Sequence, residues 1–196
     1  KEKQIVEFLS GYSYSIAELF PTIGKEKCYN LDLSIGSLWL GNYEAFNDLD
    51  LFTFKIEQLE KKFPEKIIAG GYLESRLLYT SEEYDIVGNS GRESRTTHLG
   101  VDFWLPEATP VHIPFDGVVH SVANHNKNKD YGGVIIVEHQ FEDVSFFTLY
   151  GHLSLDSLTR IKKGDSLKKG SCIGFLGDPE ENGNWVPHLH FQIILS

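Results

Sequence analysis

The sequence predicts a mainly β protein, with a small antiparallel sheet or sandwich as its core and a mixed α/β segment in front of it. Two observations carry this reading. From about residue 98 onward, short apolar runs rich in β-branched and aromatic residues recur between turn clusters such as NHNKNKDYGG and GDPEENGN, the texture of paired strands. Before about residue 80 the texture differs, with helical periodicities in place of evenly spaced short runs. These two textures divide the chain into a mixed segment over 1–80 and a β domain over 81–196.

Taken in order, EKQIVEFLS reads as a first helix and LDLFTFKIEQLEKKF as a second, the latter stopped by Pro64, whose ring cannot continue a helix. Between them LDLSIGSLWLG alternates well enough to predict a short strand. The later strands are THLGVDFW, PVHIPF, GVVHSVA, GGVIIVEH, VSFFTLYGHL, SCIGFLG and HLHFQIIL. The glycines at 170, 174 and 177 fall in a β-run without the following helix of a phosphate-binding loop, so turns explain them. No solenoid-length repeat and no low-complexity tract interrupts the pattern.

Composition narrows the function. A chain of 196 residues, 41% apolar and 13% aromatic, has the balance of a folded protein with one sizeable core. The net charge of −10 disfavours a nucleic-acid partner and would also repel anionic polymers, unless a bound divalent cation offsets it locally. No apolar run approaches the ~18 residues of a membrane span, and KEKQIVEFLSGYS has no signal-peptide core. The absence of Met points to a processed or excised piece, compatible with a cytoplasmic or an exported parent. Cys28 and Cys172 form no C-x-x-C motif and are expected to be buried small apolar residues.

Eight histidines are present. Packed or solvated side chains account for His112, His120, His125 and His139. The other four stand in patterned surroundings: His98 with Asp102 in HLGVD, His152 in LYGHL, and His188 with His190 in HLH. Residues two apart on a strand share a face, ~6.6 Å apart at Cα, so His188 and His190 project together while Leu189 and Ile193 turn to the core. His98 and Asp102 would be ~13 Å apart along a straight strand, too far for one ion. A bend at Gly100 would let the imidazole and the carboxylate converge. In VSFFTLYGHL, alternation predicts Phe147, Leu149 and Leu153 on one face and Thr148, Tyr150 and His152 on the other.

H-x-G-x-D at 98–102, Y-G-H-L at 150–153 and H-L-H-F at 188–191, in this order and with glycines at 117, 132, 164, 170, 174 and 177, resemble the lysostaphin/LytM-type zinc metallopeptidases. The resemblance covers roughly residues 98–194. It implies a β core of the duplicated hybrid motif type, with His98, Asp102 and His190 as Zn2+ ligands. His152 and His188 would then act on the water and the scissile carbonyl, as general base and then proton donor and as stabiliser of the oxyanion. The implied substrates are peptide cross-links of bacterial peptidoglycan or glycine-rich peptides.

The chain departs from the family pattern in two places. DPEENGNWV, with Asp178, Glu180 and Glu181, stands where small residues are usual, and is expected to reshape the groove away from a plain Gly-Gly preference. The stretch before H-x-G-x-D, where some members carry an oxyanion-assisting tyrosine, holds Arg92 and Arg95 here, with Tyr84 the nearest upstream tyrosine. Either arginine could offer positive charge to an oxyanion or a carboxylate. LDLSIGS, YLESRLLYTSEEY and ENGNWVPHLHFQIIL are also similar to a branch in which this domain sits inside larger chains, beside kinase-like and aminotransferase-like domains. A non-catalytic zinc- or peptide-binding module is the rival reading; it should leave gaps among the five site positions, and all five are filled. KKGDSLKKGSCIGFLG resembles a biotinyl-carrier hairpin but lacks that hairpin's lysine triplet.

Overall fold

The computed structural model describes residues 2–76, 85–88, 91–94 and 96–195. Helix α1, Glu2–Gly11, places Ile5, Phe8 and Leu9 at helical spacing against Phe115, Val144 and Phe146. A 3-10 turn at Ile16–Glu18 leads to strand β1, Lys27–Asn30. Helix α2, Tyr43–Asn47, is followed by α3, Leu49–Lys62. The Asp48 carboxylate caps α3 by accepting from the Leu51 amide at 2.9 Å, and Lys61 and Lys62 in its last turn complement the helix dipole. The α3 boundaries follow the sequence reading, ending just before Pro64.

LDLSIGSLWLG is not a strand. The strand is the preceding KCYN, which pairs in parallel with β2, Lys66–Gly70. Beyond Leu31 the side chains of Asp32 and Ser37 accept from the Ser34 and Trp39 amides, so turns satisfy the backbone that a ladder would otherwise pair. The apolar positions Leu31 and Leu33 are nonetheless buried.

The remaining strands are β3 Glu74–Ser75, β4 Asp85–Gly88, β5 Gly91–Ser94, β6 Thr97–His98, β7 Val101–Trp104, β8 Pro110–His112, β9 Gly117–His125, β10 Gly132–Phe141, β11 Val144–Leu153, β12 Ser166–Leu167, β13 Cys172–Phe175 and β14 His188–Leu195. Helix α4, Leu155–Arg160, is capped by Ser154. One eight-stranded sheet runs β1-β2-β7-β14-β11-β10-β9-β12, and β3–β6, β4–β5 and β8–β13 form separate pairs. Among the described residues every pairing except β1–β2 is antiparallel, and with one large sheet and few helices the expected mainly β class is the observed one.

Two further expectations fail. Both Cys28 and Cys172 are exposed, and the residues that pack against the apolar clusters are the adjacent Tyr29 and Ile173. The face assignment of VSFFTLYGHL is also reversed for Tyr150. Residues opposite each other in an antiparallel pair share a face, and Tyr150 lies opposite Phe191 while Gly151 lies opposite His190. Tyr150 is therefore fully buried among Val137, Ile135 and Leu189 in the main core, its hydroxyl accepting from Thr148 at 3.0 Å.

Among the described residues that core is the largest apolar cluster, with Ile135, Val137, Leu153 and Leu189 at 0% exposure. Ile135→Ala should lower the unfolding free energy by about 2–5 kcal/mol, the transfer and cavity terms for a deleted core side chain, read as a lower urea midpoint with unchanged m-value.

Candidate metal centre and active site

Strand register assembles the centre. On one face of the sheet His190 of β14 lies opposite Asp102 of β7, and His188 lies opposite Trp104. His98 comes from β6, which ends just before a bend at Leu99–Gly100, with β7 starting at Val101. Gly100 is needed there for close approach: a Cβ would stand 2.5 Å from the His190 ring and 2.9 Å from the Phe191 carbonyl.

The outcome is a compact donor set. His98 Nε2 lies 2.8 Å from His190 Nδ1 and 3.2 Å from Asp102 Oδ1, and His190 Nδ1 lies 3.1 Å from the same oxygen. Zinc bonds of ~2.0–2.1 Å at a tetrahedral angle separate donors by about 3.3 Å, so these three atoms fit one small cation. All three residues are buried. Among the described residues this is the grouping of three such side chains whose donors converge within 4.8 Å.

The outer contacts fix the rings and the carboxylate. His98 Nδ1–H donates to the Gly71 carbonyl at 2.8 Å, which leaves Nε2 with its lone pair toward the centre. Arg76 Nη1 donates to Asp102 Oδ2 at 2.7 Å, and Arg76 Nε donates to Glu74 Oε2 at 2.7 Å. Burial opposes ionisation of Asp102, but His98, Arg76, His188 and His190 outweigh it and hold the carboxyl well below its usual range.

His152 reaches the same cavity by a different route. A register shift between Gly133 and Ile135 interrupts the β10–β11 ladder, and His152 sits at φ 64, a conformation costing a non-glycine residue of order 1–3 kcal/mol. This turn undoes the alternation, so His152 leaves the Tyr150 face and joins the face of His190. Its Nδ1–H donates to Asn182 O at 2.9 Å, and His188 Nδ1–H donates to Val186 O at 2.7 Å. Both Nε2 atoms are thereby acceptors. Their ring centroids are 4.2 Å apart. Burial drives His152 well below the ordinary imidazole value and lowers His188 to about 4, so both rings are neutral at pH 7.

All five residues singled out in the sequence, His98, Asp102, His152, His188 and His190, line one cavity. Trp104, Lys129, Tyr131, Trp185 and Val186 share it, as do Leu33, Phe46, Phe52 and Arg76 from upstream. Apart from Trp185 and Val186, which end the DPEENGNWV stretch, none of these additional residues stood out in the sequence, since nothing local marks which of many apolar or basic positions will face a distant histidine. Arg95 and Tyr84, and the side chain of Arg92, lie outside the described residues. In DPEENGNWV the acidic side chains build the loop: Asp178 accepts from the Glu180 amide and Glu181 accepts from the Leu155 amide. The loop meets the cavity through Trp185 and Val186, and buried Asn182 holds it in shape by bonding Gly177 and Trp185.

Residues 96–196 match Peptidase family M23. Among curated relatives, the chain is 34% identical over 98 residues to the peptidoglycan DD-endopeptidase ShyA of Vibrio cholerae, covering 50% of this chain and 20% of that protein. It is 35% identical over 95 residues to the glycyl-glycine endopeptidase ALE-1 of Staphylococcus capitis, covering 48% of this chain and 24% of that one. A solved zinc-containing peptidase from Vibrio cholerae aligns over 51% of this chain and 28% of its own, with 33% identity and a TM-score of 0.41. The chain spans about a fifth of the length of the first curated relatives it matches.

Gly100→Ala should push the His190 ring aside and cut bound zinc per chain to a small fraction of wild type, measured by elemental analysis of protein purified without chelator. A second expectation concerns Lys129, whose amine burial lowers to about 8. An unfolded lysine titrates near ~10.4, so between pH 8 and 10.4 the unfolded chain binds more protons and stability rises with pH. In thermal melts, Lys129→Met should therefore gain most over wild type at pH 7 and least at pH 10.

Proposed function

The chain belongs to peptidase family M23, and from that membership we propose that it is a zinc-dependent endopeptidase cutting peptidoglycan cross-links or glycine-rich peptides. The observation that carries the reading is the packing of His98 Nε2, Asp102 Oδ1 and His190 Nδ1 within 3.2 Å of one another, with His98 oriented by the Gly71 carbonyl and Asp102 by the Arg76 guanidinium. His98, Asp102 and His190 would hold the ion. A zinc ion held there supplies a Lewis acid that polarises a carbonyl and brings the pKa of a water to ≈ 7.

The chain's own residues would do the rest. His188 Nε2 lies 3.7 Å from Asp102 Oδ1, beside the donor set without belonging to it, and His152 stacks obliquely over the His188 ring. With both Nδ1–H groups committed to backbone carbonyls, each Nε2 can accept a proton from an attacking water or, once protonated, donate to an oxyanion or a leaving amine. The buried, aromatic-lined setting strengthens such contacts by excluding water.

Mutation at positions 188 and 190 separates the two jobs. His188→Ala should keep zinc at wild-type stoichiometry and lose about 10²–10⁴-fold in turnover of purified peptidoglycan or oligoglycine. His190→Ala should lose the metal as well. Wild-type protein that carries zinc yet turns over neither substrate would favour the non-catalytic module instead.

A further inference from the structure

The cavity that holds the histidines extends past them. An aromatic series runs from the N-terminal segment to the site: Phe46 meets Phe52 at 5.5 Å between centroids, Phe52 meets Trp104 at 6.2 Å, and Trp104 stacks on His188 at 5.8 Å and 27°. Trp185 stands edge-on to His188 at 6.0 Å. These residues belong to one hydrophobic cluster shared by the N-terminal segment and the β domain, yet they also face the opening at the metal centre.

We propose that this wall is a substrate subsite: Leu33, Phe46 and Phe52 with Trp104, Trp185 and Val186 receive a bulky aliphatic or aromatic side chain of the peptide next to His188. The proposal rests on the reading of the site as a peptidase centre and makes the N-terminal segment a specificity element of it. The cavity measures about 250 Å³, below the ~300–1,000 Å³ usual for small-molecule sites, and so suits one side chain and a stretch of backbone. A glycine would leave the aromatic wall wet, whereas a leucine or phenylalanine would displace that water and bury apolar surface on both sides. Lys129 Nζ sits 4.3 Å from the Trp185 ring centroid, so a cationic side chain would meet like charge at the rim. The segment that seats Leu33 is also tied to the centre, because the Leu33 amide donates to Glu74 Oε1 at 2.8 Å and Glu74 holds Arg76.

The test uses zinc-loaded protein and capped pentaglycine peptides whose central residue is Gly, Leu, Phe or Lys. Tryptophan fluorescence titration reads binding without turnover, and chromatography reads hydrolysis. The Leu and Phe peptides should bind at least ~10-fold more tightly than the Gly peptide, with Lys weakest, and Leu33→Phe, which fills the space, should erase the preference. Equal affinities across the wild-type series would overturn the subsite without needing any variant. Hydrolysis of all four at equal kcat/KM would likewise overturn it and leave the peptidase reading standing. Selective binding with no hydrolysis of these peptides or of peptidoglycan would support the subsite and sink the peptidase reading instead.

Discussion

A carboxylate with almost no access to water organises this molecule. Asp102 is 1% exposed, and an ionised group so placed is tolerated only when its neighbours replace the solvent it has lost. Here one oxygen faces the Arg76 guanidinium and the other faces His98, His190 and, slightly farther off, His188. Removing Arg76 would leave that negative charge without its cationic partner in a low-dielectric interior, while the histidines contribute polar contacts to the other oxygen. Their arrangement brings one donor atom each from His98, Asp102 and His190 within 3.2 Å of one another, close enough for one small cation to fit among them.

This cluster depends on backbone features that lie some distance from it in sequence. Gly71 supplies the carbonyl that fixes the His98 ring, and Arg76 and Glu74 supply the charges behind Asp102. All three precede the stretch that matches the family. Gly71 has φ 104, and a Cβ there would stand 2.2 Å from Arg76 and 2.6 Å from His98, so only glycine lets the chain turn between the two. The sheet continues through the same region, with Gly70 of β2 opposite Asp102 of β7. The N-terminal segment and the β strands therefore share a sheet, an apolar cluster and the outer contacts of the centre.

His152 shows how a strand can serve two faces. Up to Tyr150 the even-numbered side chains of β11 enter the core, and then the register shift and the positive φ at 152 turn the histidine toward the centre. The strain at this one residue is offset by backbone bonds on both sides, from its amide to Tyr131 and to its carbonyl from Gly177, and by the Asn182 carbonyl that holds its ring. Local strain of this kind aims a side chain where regular pleating would not send it.

Apolar periodicity and close-set polar motifs are local properties that a one-dimensional reading can detect, and the mainly β class, the α3 boundaries and the five residues at 98, 102, 152, 188 and 190 that meet in the cavity were legible from them. Period-2 alternation was enough for His188 and His190, which sit on an unbroken strand. It failed for Tyr150 and His152, because a positive φ at a non-glycine residue has no sequence signal. It failed again at LDLSIGSLWLG, where Asp32 and Ser37 side chains compete for the backbone that a strand would have paired. Packing in three dimensions is what sets Arg76 behind Asp102, 26 residues away, and makes Leu33, Phe46 and Phe52 wall the same cavity as His188. Those are contacts between segments far apart in the chain, and they are set by which faces the sheet and α3 bury together.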